Sequence, residues 1–175
     1  RKLRHFVFRD PIVIDESSQY SPELLSKFLM IVMYNLALTL HLHALSLAST
    51  VSSSSSSKIR SSKSMKHKIQ KLFVRSKKLY ELTLQMHLVE DSDLTSDGND
   101  DPLFMLALTN NLGLIYRLLN ERVQSKTCFT NMLSTMMYLL DCKFESQSIK
   151  EWDGLFSNAM DILFKHTYEV AAAAA

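Results

Sequence analysis

Turns are scarce in this chain: its 175 residues hold only three glycines and three prolines. Sandwiches and barrels need a turn roughly every eight to twelve residues, so the scarcity disfavours those folds. A few long helices with few breaks fit better, and nine methionines point the same way, because unbranched side chains lose little rotamer freedom in a helix. Cysteine is rare too. Cys128 and Cys142 form no Cys-x-x-Cys pair, so two buried reduced thiols are expected rather than a disulfide framework. No Asn-x-Ser/Thr sequon occurs, which leans the expected compartment toward the cytoplasm. The net charge of +2 is too small for the whole molecule to be a polyanion binder. The chain opens on Arg1 rather than Met, as a fragment of a longer protein would.

Catalytic signatures are also missing. There is no His-Glu-x-x-His, phosphate loop or nucleophile elbow. His41 and His43 stand two apart, so on a helix they face different directions and cannot chelate one metal together. Gly98 sits in the acidic stretch Glu90–Asp101, but no glutamate follows at the spacing of a calcium loop. The expectation is a chain that is not an enzyme and uses no metal or cofactor.

What is present is helical periodicity. Residues 1–20 read as an extended arm with a turn, Phe6-Val7-Phe8 and Ile12-Val13-Ile14 flanking Asp10-Pro11, which either lies along the helices as a cap or continues from a missing domain. The helical domain is expected over 21–166. Ser21-Pro22-Glu23 opens a first helix that runs to about Ala48. Phe28–Ala48 is uncharged and long enough to cross a bilayer, but Asn35, Thr39, His41, His43 and Ser46 lie inside it, which favours a buried helix. Six serines in a row, Ser52–Ser57, predict a disordered Ser/Lys insertion over 49–64. A second helix follows from Lys66 to about Val89, then the acidic loop 90–101. Asp101-Pro102 starts a third helix to about Leu119, Asn120-Glu121 makes a tight connection, and a fourth helix covers Arg122–Cys142. Ser148-x-x-Glu151 is a capping box for a fifth helix, which fades in an alanine-rich tail, 167–175.

The third and fourth helices carry Leu112-Gly113-x-x-Tyr116 and then Ser125-x-x-x-Phe129-x-x-Met132-Leu133. Small residues at Gly113 and Ser125 let paired helices approach closely, and Tyr116 and Phe129 fill the space beside that crossing. An earlier copy has Asn35-Leu36-Ala37 for Asn111-Leu112-Gly113, and Ser76-x-x-x-Tyr80-x-x-Thr83-Leu84 for the second helix. The offsets are 113 − 37 = 76 and 125 − 76 = 49, so the first copy is stretched by 27 residues between its halves. Such insertions are cheap, because loop-closure entropy grows only logarithmically.

These motifs resemble the tetratricopeptide repeat, with Thr109 in place of the family's tryptophan and without its terminal proline. The resemblance spans residues 22–165. It implies an all-α, short α-solenoid of antiparallel helix pairs, about two repeats plus a C-terminal capping helix. It also implies a protein-binding scaffold whose concave groove holds a partner peptide or helix. Peptide-binding members place asparagine where Asn35 and Asn111 stand, and an amide, being both donor and acceptor, suits recognition of main chain. The same face would carry Tyr34, Leu38, His41 and Leu42 in the first copy, and Asn110, Leu114, Arg117 and Leu118 in the second. Leu38 stands where the family's carboxylate clamp has an asparagine, so an acidic chaperone tail is not the expected ligand. The bland alternative is that each asparagine bonds its own neighbouring helix.

One charge feature stands apart. Nine basic residues fall between Lys58 and Lys78 with no acid among them. They offer a second candidate function, binding nucleic acid or an anionic membrane, although aromatics that would stack bases are few. A solvated helix face explains most of the run. A third possibility is a purely structural piece of a longer repeat protein.

Overall fold

The computed structural model describes residues 7–12, 22–53, 59–92, 102–141 and 152–173. Within these it has five helices and no strand: α1 Pro22–Ser53, α2 Ile59–Ser92, α3 Pro102–Leu118, α4 Arg122–Asp141 and α5 Trp152–Ala173. The fold is all-α, and its helices pair as α1 with α2 and α3 with α4. By packing, the chain divides into one unit of residues 9–99 and another of residues 1–8 with 100–175.

Pro22 and Pro102 open α1 and α3, where proline's missing N–H costs nothing because first-turn donors lack an intrahelical partner. The turn closing α3 is a Schellman motif. Glu121 N–H donates to Tyr116 C=O at 2.8 Å and Asn120 N–H to Arg117 C=O at 3.0 Å, with Asn120 left-handed at φ 65°. That motif reverses the chain in three residues and sets α4 antiparallel to α3.

In the first hairpin α1 lies antiparallel on α2. Tyr34 packs on Tyr80 at a ring separation of 5.6 Å, and one turn along the axis Ser76 Oγ donates to the Ala37 carbonyl at 2.7 Å. Further along, His41 meets Phe73 edge-on at 6.0 Å. The second hairpin repeats the central contact: Ser125 Oγ donates to the Gly113 carbonyl at 2.9 Å. A Cβ on Gly113 would lie 2.7 Å from Phe129 Cε2 and 3.1 Å from Cys128 Cβ, so glycine is what lets α4 come this close. The offsets of 76 and 49 thus match residues that make the same bond in both hairpins.

The serine-rich segment differs from expectation. Residues 49–53 finish α1 and 59–64 begin α2, so only 54–58 of the expected disordered insertion lie outside the described residues. Once a helix is nucleated, each further residue gains a hydrogen bond, and serine is only modestly worse than alanine there. Ser49 and Thr50 also return their hydroxyls to the carbonyls of Ser46 and Leu47 at 2.7 and 2.8 Å, closing the last turns of α1. α5 likewise runs past the expected end into the tail, to Ala173, as alanine's top helix propensity allows. Most of the acidic loop, 93–101, lies outside the described residues, and so do Ser148-x-x-Glu151 and Cys142.

α1 from Leu25 to Val51 has the length and apolar composition of a bilayer-crossing helix. The same pattern belongs to a core helix, and α1 buries Tyr34, Ala37, Leu38, His41 and Ala44. Leu25, Phe28, Leu29, Val32 and Leu36 on its other face are exposed.

Candidate functional site

The two asparagines singled out by the repeat hold the chain's own N-terminal arm by its main chain. Asn111 Oδ1 accepts the Phe8 N–H at 3.0 Å, while Asn111 Nδ2 donates to the Phe8 carbonyl at 3.0 Å. Asn35 does the same to Ile12: Oδ1 accepts its N–H at 3.0 Å and Nδ2 donates to its carbonyl at 2.9 Å. In extended backbone the N–H and C=O of one residue point to the same side, which is how strands exchange paired hydrogen bonds. A carboxamide carries an acceptor and a donor at matching separation, so it takes the place of a neighbouring strand. Each asparagine is therefore a clasp for one residue of extended chain, and it reads no side chain.

The second clasp is held rigid from behind. Asn158 Nδ2, on α5, donates to Asn110 Oδ1 at 2.7 Å, and Asn110 Nδ2 donates to Asn111 Oδ1 at 3.0 Å. All three amides are buried. Asn111 Oδ1 thus accepts from both Asn110 and Phe8, which fixes which way its amide faces. Buried polar groups that are fully paired specify a single arrangement, and an unpaired one is costly. Asn158 had no place in the sequence reading. Its signal was an asparagine at a buried position of the amphipathic fifth helix, weak without knowing that α5 packs beside α3.

The other candidate binding residues are placed differently. Leu38 and Leu114 are buried core, and Asn110 serves Asn111 and Asn158. Arg117 is half-buried in the last turn of α3. His41 is wholly buried between Phe73 and Tyr80, and neither ring nitrogen has a hydrogen-bond partner. Desolvation lowers its pKa from 6.5 to about 4, so the imidazole is neutral at pH 7. Thr109 turns its hydroxyl back to the Met105 carbonyl at 2.6 Å.

Around the clasped residues the arm is partly enclosed: Val7 and Phe8 are buried, while Arg9, Asp10 and Pro11 are exposed. The basic run lies mostly on the solvated side of α2, with Lys63, Lys66, Lys68, Lys71, Arg75 and Lys78 exposed and Lys77 set 4.0 Å from Glu81. Among the described residues no cluster of three or more His, Cys, Asp or Glu side chains is available to a metal. Cys128 is a buried free thiol.

No protein-family model, curated protein or solved structure matches the chain, so the tetratricopeptide likeness rests on its own residues.

Proposed function

We propose that this chain is a non-enzymatic protein-interaction module, a tetratricopeptide-like pair of helical hairpins that holds extended segments of protein by their main chain. The observation that carries the reading is the double clasp. Asn35 and Asn111 occupy equivalent positions in the two copies, and each donates to and accepts from a single residue of extended backbone. An asparagine kept only for helix packing has no need to pair both polar groups of one residue, twice over. The buried amides of Asn110 and Asn158 support the same reading, because they hold one clasp in a fixed orientation at the expense of desolvating three polar side chains. On this view the partner is a peptide segment, no cofactor or small substrate takes part, and the buried free thiol of Cys128 suits the cytoplasm.

The test is an array of extended peptides scanned by backbone N-methylation. Recognition of main chain predicts that methylating one clasped amide abolishes binding, while changing exposed neighbouring side chains has little effect. Binding that follows side-chain identity and ignores N-methylation contradicts the reading.

A second reading is favoured by the exposed cations of α2 between Lys63 and Lys78. On that reading the hairpin binds a phosphate backbone or an anionic bilayer, with affinity falling steeply as salt rises. Neutralising the run would abolish such binding, and Asn111→Ala would leave it intact.

A further inference from the structure

We infer that the arm is an intramolecular placeholder, and that a partner segment gains the Asn111 clasp only by displacing Phe8. This rests on the main-chain reading proposed above. Phe8 engages both the oxygen and the nitrogen of the Asn111 amide in this structure, so an external main chain meets the same paired contact only once Phe8 leaves. The arm also defines the chemistry of the ligand that would replace it. The clasped residue must be extended and must bring a free N–H, which excludes proline there. That residue and the one before it must be apolar, because Phe8 and Val7 are buried. The following residues are free to be charged or turn-forming, as exposed Arg9, Asp10 and Pro11 are. The partner is thus an extended protein segment with two consecutive apolar residues followed by a polar turn. It is neither a helix nor an acidic tail.

A tethered occupant acts at an effective concentration on the order of 1 mM, so a free peptide of intrinsic affinity about 0.1 mM is weakened about tenfold by its presence. The experiment uses the full chain and a fluorescent peptide of residues 4–14, followed by anisotropy. Phe8→Asp puts a carboxylate into a buried position and ejects the arm, and Phe8→Pro ejects it by removing the N–H. The peptide should bind both variants about tenfold more tightly than the unaltered chain. Adding Asn111→Leu, or N-methylating the peptide at Phe8, should abolish that binding. Equal affinity for ejected and unaltered chains, still sensitive to Asn111→Leu, overturns the placeholder inference and leaves the clasp reading standing. No binding to either ejected variant, with far-ultraviolet circular dichroism unchanged, overturns both. Concentration-dependent dimers of the unaltered chain would also overturn it, because the arm would then belong to an exchanged interface.

Discussion

Replacing Asn111 by leucine, which has nearly the same volume, is the most informative single change. It removes one acceptor and one donor, strands the Phe8 N–H and the Phe8 carbonyl, and takes one bond from Asn110 Nδ2. A buried polar group left without a partner costs about 1–3 kcal/mol, so with its two Phe8 groups stranded an arm held in place would lose about 2–6 kcal/mol. The arm has a cheaper course. Peeling away rehydrates both Phe8 groups and gives up the burial of Val7 and Phe8, about 3–6 kcal/mol for two apolar side chains. It also regains about 1–2 kcal/mol of backbone entropy for each residue released. The smaller route sets the loss, so about 1–2 kcal/mol is expected in urea unfolding followed at 222 nm, with Val7 and Phe8 released. Asn111→Asp adds a test of sign. Its carboxyl would be buried, so its folded-state pKa lies above the unfolded value, and the native state binds the extra proton. Stability relative to the parent chain must then fall as pH rises through that window, the reverse of a salt-bridged aspartate. Near pH 4 the neutral acid can still donate to the Phe8 carbonyl. If Asn111→Leu stays within about 0.5 kcal/mol of the parent, or the stability of Asn111→Asp relative to the parent is the same at pH 4 and pH 7, the reasoning fails.

Three further outcomes follow from the same geometry. His41 has a folded pKa near 4 against 6.5 unfolded, so the unfolded chain binds the extra proton between those values. Stability is fully present above pH 6.5 and falls by about 3 kcal/mol toward pH 4, and His41→Phe should flatten this slope and raise stability at pH 7 by removing two unpaired nitrogens. Gly113→Ala gains about 1 kcal/mol of helix propensity but forces a methyl against buried Phe129, and a net loss of about 1–2 kcal/mol in the melting curve is expected. Asn120→Gly should be neutral or stabilising and Asn120→Ala destabilising by about 1 kcal/mol, since φ 65° suits glycine, tolerates asparagine and disfavours alanine.

Much of the fold could be read from the residues because its signals are local. Pro22 and Pro102 start helices where the cap-then-proline logic puts them, and Asn120-Glu121 makes the turn expected of it. The repeat alignment was legible for a similar reason: Ser76 and Ser125, like Ala37 and Gly113, are small because the helices approach there. The flanks of the serine run misled, because composition measures what a segment buries, whereas extending a helix through 49–53 and 59–64 asks only for one hydrogen bond per residue. The site was half legible. The resemblance, with the amide's paired donor and acceptor, suggested that Asn35 and Asn111 suit main-chain recognition, but periodicity reports which residues share a face and not what covers it. It therefore grouped Leu38, His41, Asn110 and Leu114 with the asparagines as partner contacts, while the structure buries all four. An arm lying along the helices was one of the two readings of residues 1–20, but spacing gave no means to pair Phe8 with Asn111 or Ile12 with Asn35.

The central claim is that two equivalent asparagines each hold one residue of extended chain, and amide hydrogen exchange tests it most directly. The Phe8 and Ile12 amides should exchange slowly, well below unstructured rates. Asn111→Leu should release Phe8 alone, and Asn35→Leu should release Ile12 alone, with the helices still protected. Exchange of both amides at unstructured rates in the unaltered chain would contradict the account.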